Sequence, residues 1–358
     1  MYTKKKLFKI LSFAIIYLST SIFSLSVTSD ALSKIFKIQD IEISVPFDAK
    51  FDKEKVINKA FSAAFNELVS SVIITSDKPK IQYTKLDEIK YLIESFEIQN
   101  ESFLNKKYIA KFNVNFNKKR TLNFFEIKNI FPSLKRNKDF LTILIFIDND
   151  ENQIYLYENN PFYKNWNNRK EKYFLINYIL IDEDIEDLQI IRENKDNIEN
   201  YQFNKILEKY GLEDYIISII FKSKKNIRIL SKFFFDEKLK IINHKYSDID
   251  FSDQTELDNL IFNTKINLED LWKSNNLINT SLKLPINLQI NSKDTLKIVS
   301  FEKEISKIDL IYDYYVTSIS NKKMNYKIIF NGSPDMFLKI MREKDISIDI
   351  ENEIWKIK

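Results

Sequence analysis

The densest run of carboxylates in the chain is Asp182-Glu183-Asp184-Ile185-Glu186-Asp187. It follows the apolar run Phe174-Leu175-Ile176-Asn177-Tyr178-Ile179-Leu180-Ile181, which reads as a buried strand. In α/β sheets, ligands bind beyond the carboxyl ends of strands. Asp182, Asp184 and Asp187 are therefore candidate ligands for a hard cation such as calcium. The bland alternative is that acids at a strand-to-helix junction face the positive end of the helix and stay hydrated. A second run, Asp148-Asn149-Asp150-Glu151-Asn152, imitates the first half of a calcium loop. Gln153 stands where such a loop needs glycine and Asn159 where it needs a bidentate glutamate, so a polar hairpin turn is expected.

Between these runs lies an aromatic group, Tyr155, Tyr157, Phe162, Tyr163 and Trp166, around Asn159-Asn160-Pro161. Tyr and Trp combine an apolar body with a polar tip, so Tyr155, Tyr157, Tyr163 and Trp166 form a candidate recognition surface for a sugar or peptide. Ordinary packing is the competing reading in a chain with 29 Phe and 18 Tyr. Paired carboxylates could serve a hydrolase of envelope polymers. With 51 acidic residues, however, some pair always exists, and no particular pair is singled out.

Absences exclude more. The chain has no Cys, which removes disulfides, thiol nucleophiles and Cys-bound zinc or iron–sulfur clusters. The single histidine, His244, lies in the strand-like run Lys240–Tyr246 and is assigned to surface or packing. Two isolated glycines, Gly211 and Gly332, do not make a phosphate-cradling loop or a dinucleotide fingerprint. No catalytic residue is assigned, and no cofactor is expected.

The first 31 residues read as an address. Lys4, Lys5, Lys6 and Lys9 precede an uncharged run from Ile10 to Val27, and Ser29-Asp30-Ala31 offers a small-x-small cleavage site. This is the pattern of a secretory signal peptide over residues 1–31. The alternative is an uncleaved anchor over residues 10–27. These lysines, set against Asp30, account for most of the net charge of +4. The rest is near neutral, so no nucleic-acid partner and no bulk attraction for an anionic membrane are expected. No other run is apolar enough to span a membrane.

The elements that must position the candidate residues are legible from periodicity. Residues 35–45 alternate as a strand ended by Pro46. Val56, Ile57, Ala60, Phe61, Ala64, Phe65, Leu68 and Val69 make one face of a helix over about 52–72, capped by Asp52. Tyr91–Ile98 and Tyr108–Phe116 read as a hairpin, followed by a helix near 121–130. Leu141–Ile147 is a strand of the type buried on both faces. A helix over 202–210 leads to Gly211 as its C-cap, and Tyr215–Phe221, Ile227–Phe235 and Lys238–His244 read as a meander. Asp253 and Glu256 have capping-box spacing before a helix carrying Leu257, Leu260, Ile261, Leu268 and Leu271. The last third gives strand, helix capped by Ser292, hairpin, helix starting at Ser333-Pro334 and a final strand over 346–350. That βαββαβ order predicts a ferredoxin-like sandwich. The expectation is an α+β protein of three small α/β units, over 34–136, 137–276 and 282–358.

The helix with Ala60, Ala64 and Leu68 and the hairpin from Tyr91-Leu92-Ile93-Glu94-Ser95-Phe96 to Phe116 carry a resemblance. So do Ile179-Leu180-Ile181-Asp182, Glu186-Asp187-Leu188 and Lys209-Tyr210-Gly211-Leu212-Glu213-Asp214-Tyr215. Over roughly residues 35–275 the chain resembles the exported bacterial proteins grouped as domain of unknown function 2066. The resemblance implies an envelope location and an α+β build, with no activity or site residue to carry over. The expected function is a non-enzymatic, exported binding or assembly module of the periplasm or cell envelope with an envelope protein partner. The alternatives are a carboxylate-dependent hydrolase of envelope polymers and a scaffold tethered by residues 10–27.

Overall fold

The computed structural model describes residues 36–350 and 354–358. The expected signal peptide, its cleavage site and the alternative anchor lie outside the described residues. The protein is α+β, and its described residues form three sheets. Among the described residues, no helix is long and apolar enough to cross a membrane.

The first sheet has the order β1-β3-β2, all antiparallel. Its elements are β1 (Lys37–Pro46), α1 (Lys53–Val72), α2 (Leu86–Leu92), β2 (Ile93–Leu104), β3 (Lys107–Phe116) and α3 (Lys118–Ile127). The Asp52 carboxylate accepts from the Glu54 and Lys55 amides and so starts α1, as its spacing predicts. Ala60 and Ala64 are fully buried, which lets the helix lie close to Tyr108, Ala110, Phe112 and Val114 of β3. Tyr91 and Leu92, expected in the hairpin, instead finish α2, and β2 begins two residues later than expected, at Ile93. The Lys85 amide donates to Glu88 at that helix start, a bond the alternating pattern does not announce.

The middle sheet has the order β5-β4-β7-β8-β9, with β6 also on β4. In chain order the elements are β4 (Lys138–Asp148), β5 (Gln153–Tyr155), α4 (Pro161–Asn165), β6 (Ile176–Leu180), α5 (Ile185–Glu193) and α6 (Asn204–Leu207). Then come β7 (Tyr215–Ser223), β8 (Asn226–Phe235), β9 (Lys238–Tyr246) and α7 (Gln254–Asn275). Strands β6, β4 and β7 are parallel, and the rest of the sheet is antiparallel. Both faces of β4 are buried, as its continuous apolar run requires. Phe140, Leu144 and Phe146 pack with α4 and α7, whereas Leu141, Ile143, Ile145 and Ile147 pack with α5 and α6. Helix α6 ends at Leu207, short of the expected boundary, and Gly211 serves a left-handed turn at φ +63° before β7.

The last sheet comprises β10 (Leu284–Ile290), α8 (Thr295–Ser306), β11 (Ile311–Ile319), β12 (Met324–Phe330), α9 (Pro334–Glu343), β13 (Ile348–Asp349) and β14 (Trp355–Ile357). Its order is β11-β12-β10-β14-β13. The first three strands lie as a ferredoxin-like sandwich requires, but the end departs from it. The expected final strand shrinks to β13 at the sheet edge, and β14 inserts beside β10 and runs parallel to it. Trp355, packed 6.1 Å from Phe337, supplies the apolar anchor that wins this place. Helix α8 is capped by Asp294, not Ser292.

The first and last sheets share one continuous apolar cluster, from Phe36 to Met341. Lys118 Nζ donates to Ile308 O at 2.6 Å and Lys283 pairs with Glu126 at 2.8 Å across this junction. Helix α7 joins the middle sheet to the first. Its Lys273 Nζ donates to Ser70 O at 2.6 Å, Asp270 accepts the Thr75 amide at 3.0 Å, and Trp272 Nε1 donates to Arg136 O at 2.8 Å.

Candidate binding site at the notched edge of the middle sheet

One edge of β4 is served by two short strands instead of one long strand. Strand β6 pairs with Lys138–Thr142 and β5 with Phe146–Asp148, which leaves a gap at Leu144. A buried backbone carbonyl needs a donor, and Asn160 supplies it. Its Nδ2 donates to Leu144 O at 2.9 Å and to Tyr155 O at 3.3 Å. Its Oδ1 accepts from the Phe162 and Tyr163 amides and so caps α4, with Pro161 at the first helical position. The aromatic pattern around Asn159-Asn160-Pro161 gives Asn160 no role. The signal available was an Asn-Pro step, a cap followed by a first-turn proline.

This arrangement brings the aromatic and acidic runs together. A depression of about 460 Å³ is lined by Tyr155, Tyr157 and Glu158 from one run, by Glu183 and Asp184 from the other, and by Arg192 of α5. Tyr163 ties its base, donating to Ile181 O at 2.9 Å and meeting the Tyr157 ring edge-on at 5.7 Å. Burial pushes the Tyr157 and Tyr163 phenols up, and the Glu183 and Asp182 carboxylates add to the effect at Tyr163. Both phenols therefore remain neutral, the Tyr163 hydroxyl committed to Ile181 O and the Tyr157 hydroxyl buried. The Tyr155 phenol is also raised, chiefly by its hydrogen bond to Glu151.

Trp166 does not belong to this surface. It is wholly buried, 5.5 Å from the Tyr178 ring, with the Lys265 ammonium 5.3 Å above each ring. The apolar face of α7 claims it for the core, as its large area favours. Tyr155, Tyr157 and Tyr163 remain at the notch.

The three candidate cation ligands are placed apart or already engaged. Asp184 caps α5 through the Glu186 amide, and Lys209 Nζ lies 2.7 Å from Asp184 and 2.6 Å from Asp187. The ammonium thus occupies the place between two of the three carboxylates. Asp187 has a fully buried side chain and Asp182 stands apart, exposed, with its amide donating to Tyr210 Oη at 3.0 Å. Among the described residues, no group of three or more His, Cys, Asp or Glu side chains is placed to hold a metal ion. The hydrogen bond from Lys209 holds the Asp184 carboxyl below its usual range, and the two carboxylates raise Lys209 in return. Lys209 opens the run Lys209–Tyr215, far in sequence from the acids it meets. Only the fold brings it to α5.

The run at Asp148 is a turn, as expected. Asp148 accepts from the Asp150 and Glu151 amides and pairs with Lys222 at 2.6 Å. His244 sits half-buried in β9, 6.4 Å from the Tyr246 ring.

Chemically, the notch joins aromatic faces to an acidic rim. Glu158 and Glu183 are exposed and make no ion pair among the described residues. Arg192 is the one cation among the lining residues. Such a rim suits a cationic group, held by carboxylates and by ring faces. No protein-family model and no curated protein matches the chain.

Proposed function

We propose that the chain is an exported, non-enzymatic binding or assembly module of the cell envelope, and that the notch receives a basic segment of an envelope protein partner. The observation that carries this reading is the convergence of Tyr155, Tyr157 and Glu158 with Glu183 and Asp184 on one depression. Aromatic side chains supply contact area at low entropic cost, and unpaired rim carboxylates select positive charge. The N-terminal lysines and the uncharged run from Ile10 to Val27 support export. The resemblance to the exported 2066 family points to the same compartment. Where the acids are densest, Asp184 and Asp187 are engaged by Lys209, which favours a structural and electrostatic role over proton transfer.

The test is a photo-crosslinking residue at Tyr155 in intact cells, with adducts identified by mass spectrometry. One envelope protein is expected, crosslinked through a basic segment, and Glu158→Lys with Glu183→Lys should abolish the adduct. Adducts that survive the double reversal would sink the reading, as would none at native abundance. N-terminal sequencing of the cell-derived chain should begin near Leu32.

A further inference from the structure

We propose that the tip of the β2–β3 hairpin, with the β1–α1 loop beside it, docks on the surface of an anionic phospholipid bilayer. The proposal is independent of the notch and lies at another sheet.

Three large apolar side chains converge on this tip. Phe47 is 45% exposed, Phe103 58% and Leu104 61%. They come from separate segments held by backbone: the Phe47 amide donates to Lys106 O at 2.8 Å, and Leu104 pairs with Lys107 across the turn. The Phe47 and Phe103 rings meet edge-on at 4.8 Å, over Phe51 and the buried Tyr108. Asn105 and Lys106 both adopt left-handed backbone, at φ 52° and 58°. That is the tight two-residue turn whose twist matches the strands. The apolar side chains are therefore presented at the end of a tightly held turn. Exposed apolar side chains of this kind can enter the headgroup region of a bilayer.

Charge selects the kind of bilayer. Lys50, Lys106 and Lys107 ring the tip, exposed, and none has a carboxylate partner among the described residues. Of the nearby acids, Glu101 pairs with Lys53 at 2.8 Å and Asp52 with Lys55 at 3.8 Å, while Asp48, which accepts the Lys50 amide, keeps its charge against the three tip lysines. Near overall neutrality does not oppose this, because screening confines the interaction to charges within about 10 Å of the surface. Each lysine near an anionic leaflet strengthens binding about five-fold.

The absence of cysteine makes the test clean. An environment-sensitive dye on Leu104→Cys of the full chain reports the tip, and the same dye on Asn200→Cys, in the middle unit, is the control. With phosphatidylcholine–phosphatidylglycerol vesicles, the dye at 104 should shift to the blue and the dye at 200 should not. Phosphatidylcholine alone should give no shift. Adding Lys50→Glu, Lys106→Glu and Lys107→Glu should raise the lipid concentration needed at least about ten-fold, with the thermal unfolding midpoint unchanged. No shift at 104, an equal shift with neutral vesicles, or indifference to charge reversal would each overturn the proposal. So would a tip that crosslinks to protein in cells while ignoring vesicles.

Discussion

Helix α7 carries a buried charged row whose titration can be read in stability. Leu257, Ile261, Lys265, Glu269 and Lys273 follow one another at four-residue spacing, so the apolar row of the helix becomes charged halfway along. Glu269 is fully buried and accepts the Leu175 and Ile176 amides at 2.9 and 3.0 Å. Lys265 donates to Trp166 O and Arg169 O, and Lys273 to Ser70 O. Burial pushes the Glu269 carboxyl up to about 7, against the pull of its two amides and Lys273 and with Asp270 adding to the rise. The same desolvation pushes Lys265 and Lys273 down to about 8.

The perturbation is Glu269→Gln. A carboxyl raised in the folded state gives stability that is full below its unfolded value, near 4.5, and is lost as pH rises through about 7. Between pH 5 and 7.5 the parent protein should lose about 2 kcal/mol through this group, and the glutamine variant cannot lose it. The lysines act with the opposite sign and in another window, losing stability as pH falls from about 10.5 to about 8. They leave the lower interval nearly unchanged. The amide replaces one of two acceptors, so at pH 5 the variant should be about 1–2 kcal/mol less stable. Urea unfolding followed by tryptophan fluorescence is the assay, since Trp166 and Trp272 both lie in this cluster. The gap between variant and parent should close or invert at pH 7.5. A gap that stays constant between the two pH values, or widens, refutes the reasoning.

Asn160→Ala should cost about 2–4 kcal/mol in the same assay, from a lost helix cap and an orphaned Leu144 carbonyl. A loss below about 1 kcal/mol would mean the notch closes without it. Lys209→Met should destabilise at neutral pH, because Asp187 then lies buried and uncompensated. Asp184 is held low by Lys209, so its contribution is present above the usual carboxylate range and fades on acidification. The penalty of the variant should shrink accordingly in unfolding experiments below about pH 4. Calcium should leave the unfolding midpoint of the parent unchanged, because the Lys209 ammonium already bridges two of the carboxylates. A calcium-dependent rise would restore the cation-site reading.

Much of the fold is local and was therefore readable. Helix α1 follows from eight apolar positions at helical spacing and from Asp52 as its cap. The Ser333 cap with Pro334 in the first turn starts α9 as expected. Cap identity was less secure where several polar residues competed. Asp253 starts α7 by accepting the Thr255 amide, but Glu256 turns to the Asp250 amide and leaves the capping box unclosed. The candidate site was legible only in parts. Its aromatic and acidic runs were visible, but their convergence was not, and for Trp166 the packing of α7 decides between the candidate surface and the core in favour of the core.

By itself, the sequence determined the α+β class, most element positions and the continuous burial of β4. Those follow from side-chain period and from what each residue type does to its own backbone. Tertiary structure decided what depends on pairing between distant segments. It placed β14 beside β10, split one edge of β4 between β5 and β6, and set Asn160 in the gap. It also brought Lys209 between Asp184 and Asp187 and buried the charged row of α7. Period records which face a residue occupies. Which partner that face meets depends on register and on competition for the same hydrogen bonds, and neither is written in any single stretch of chain.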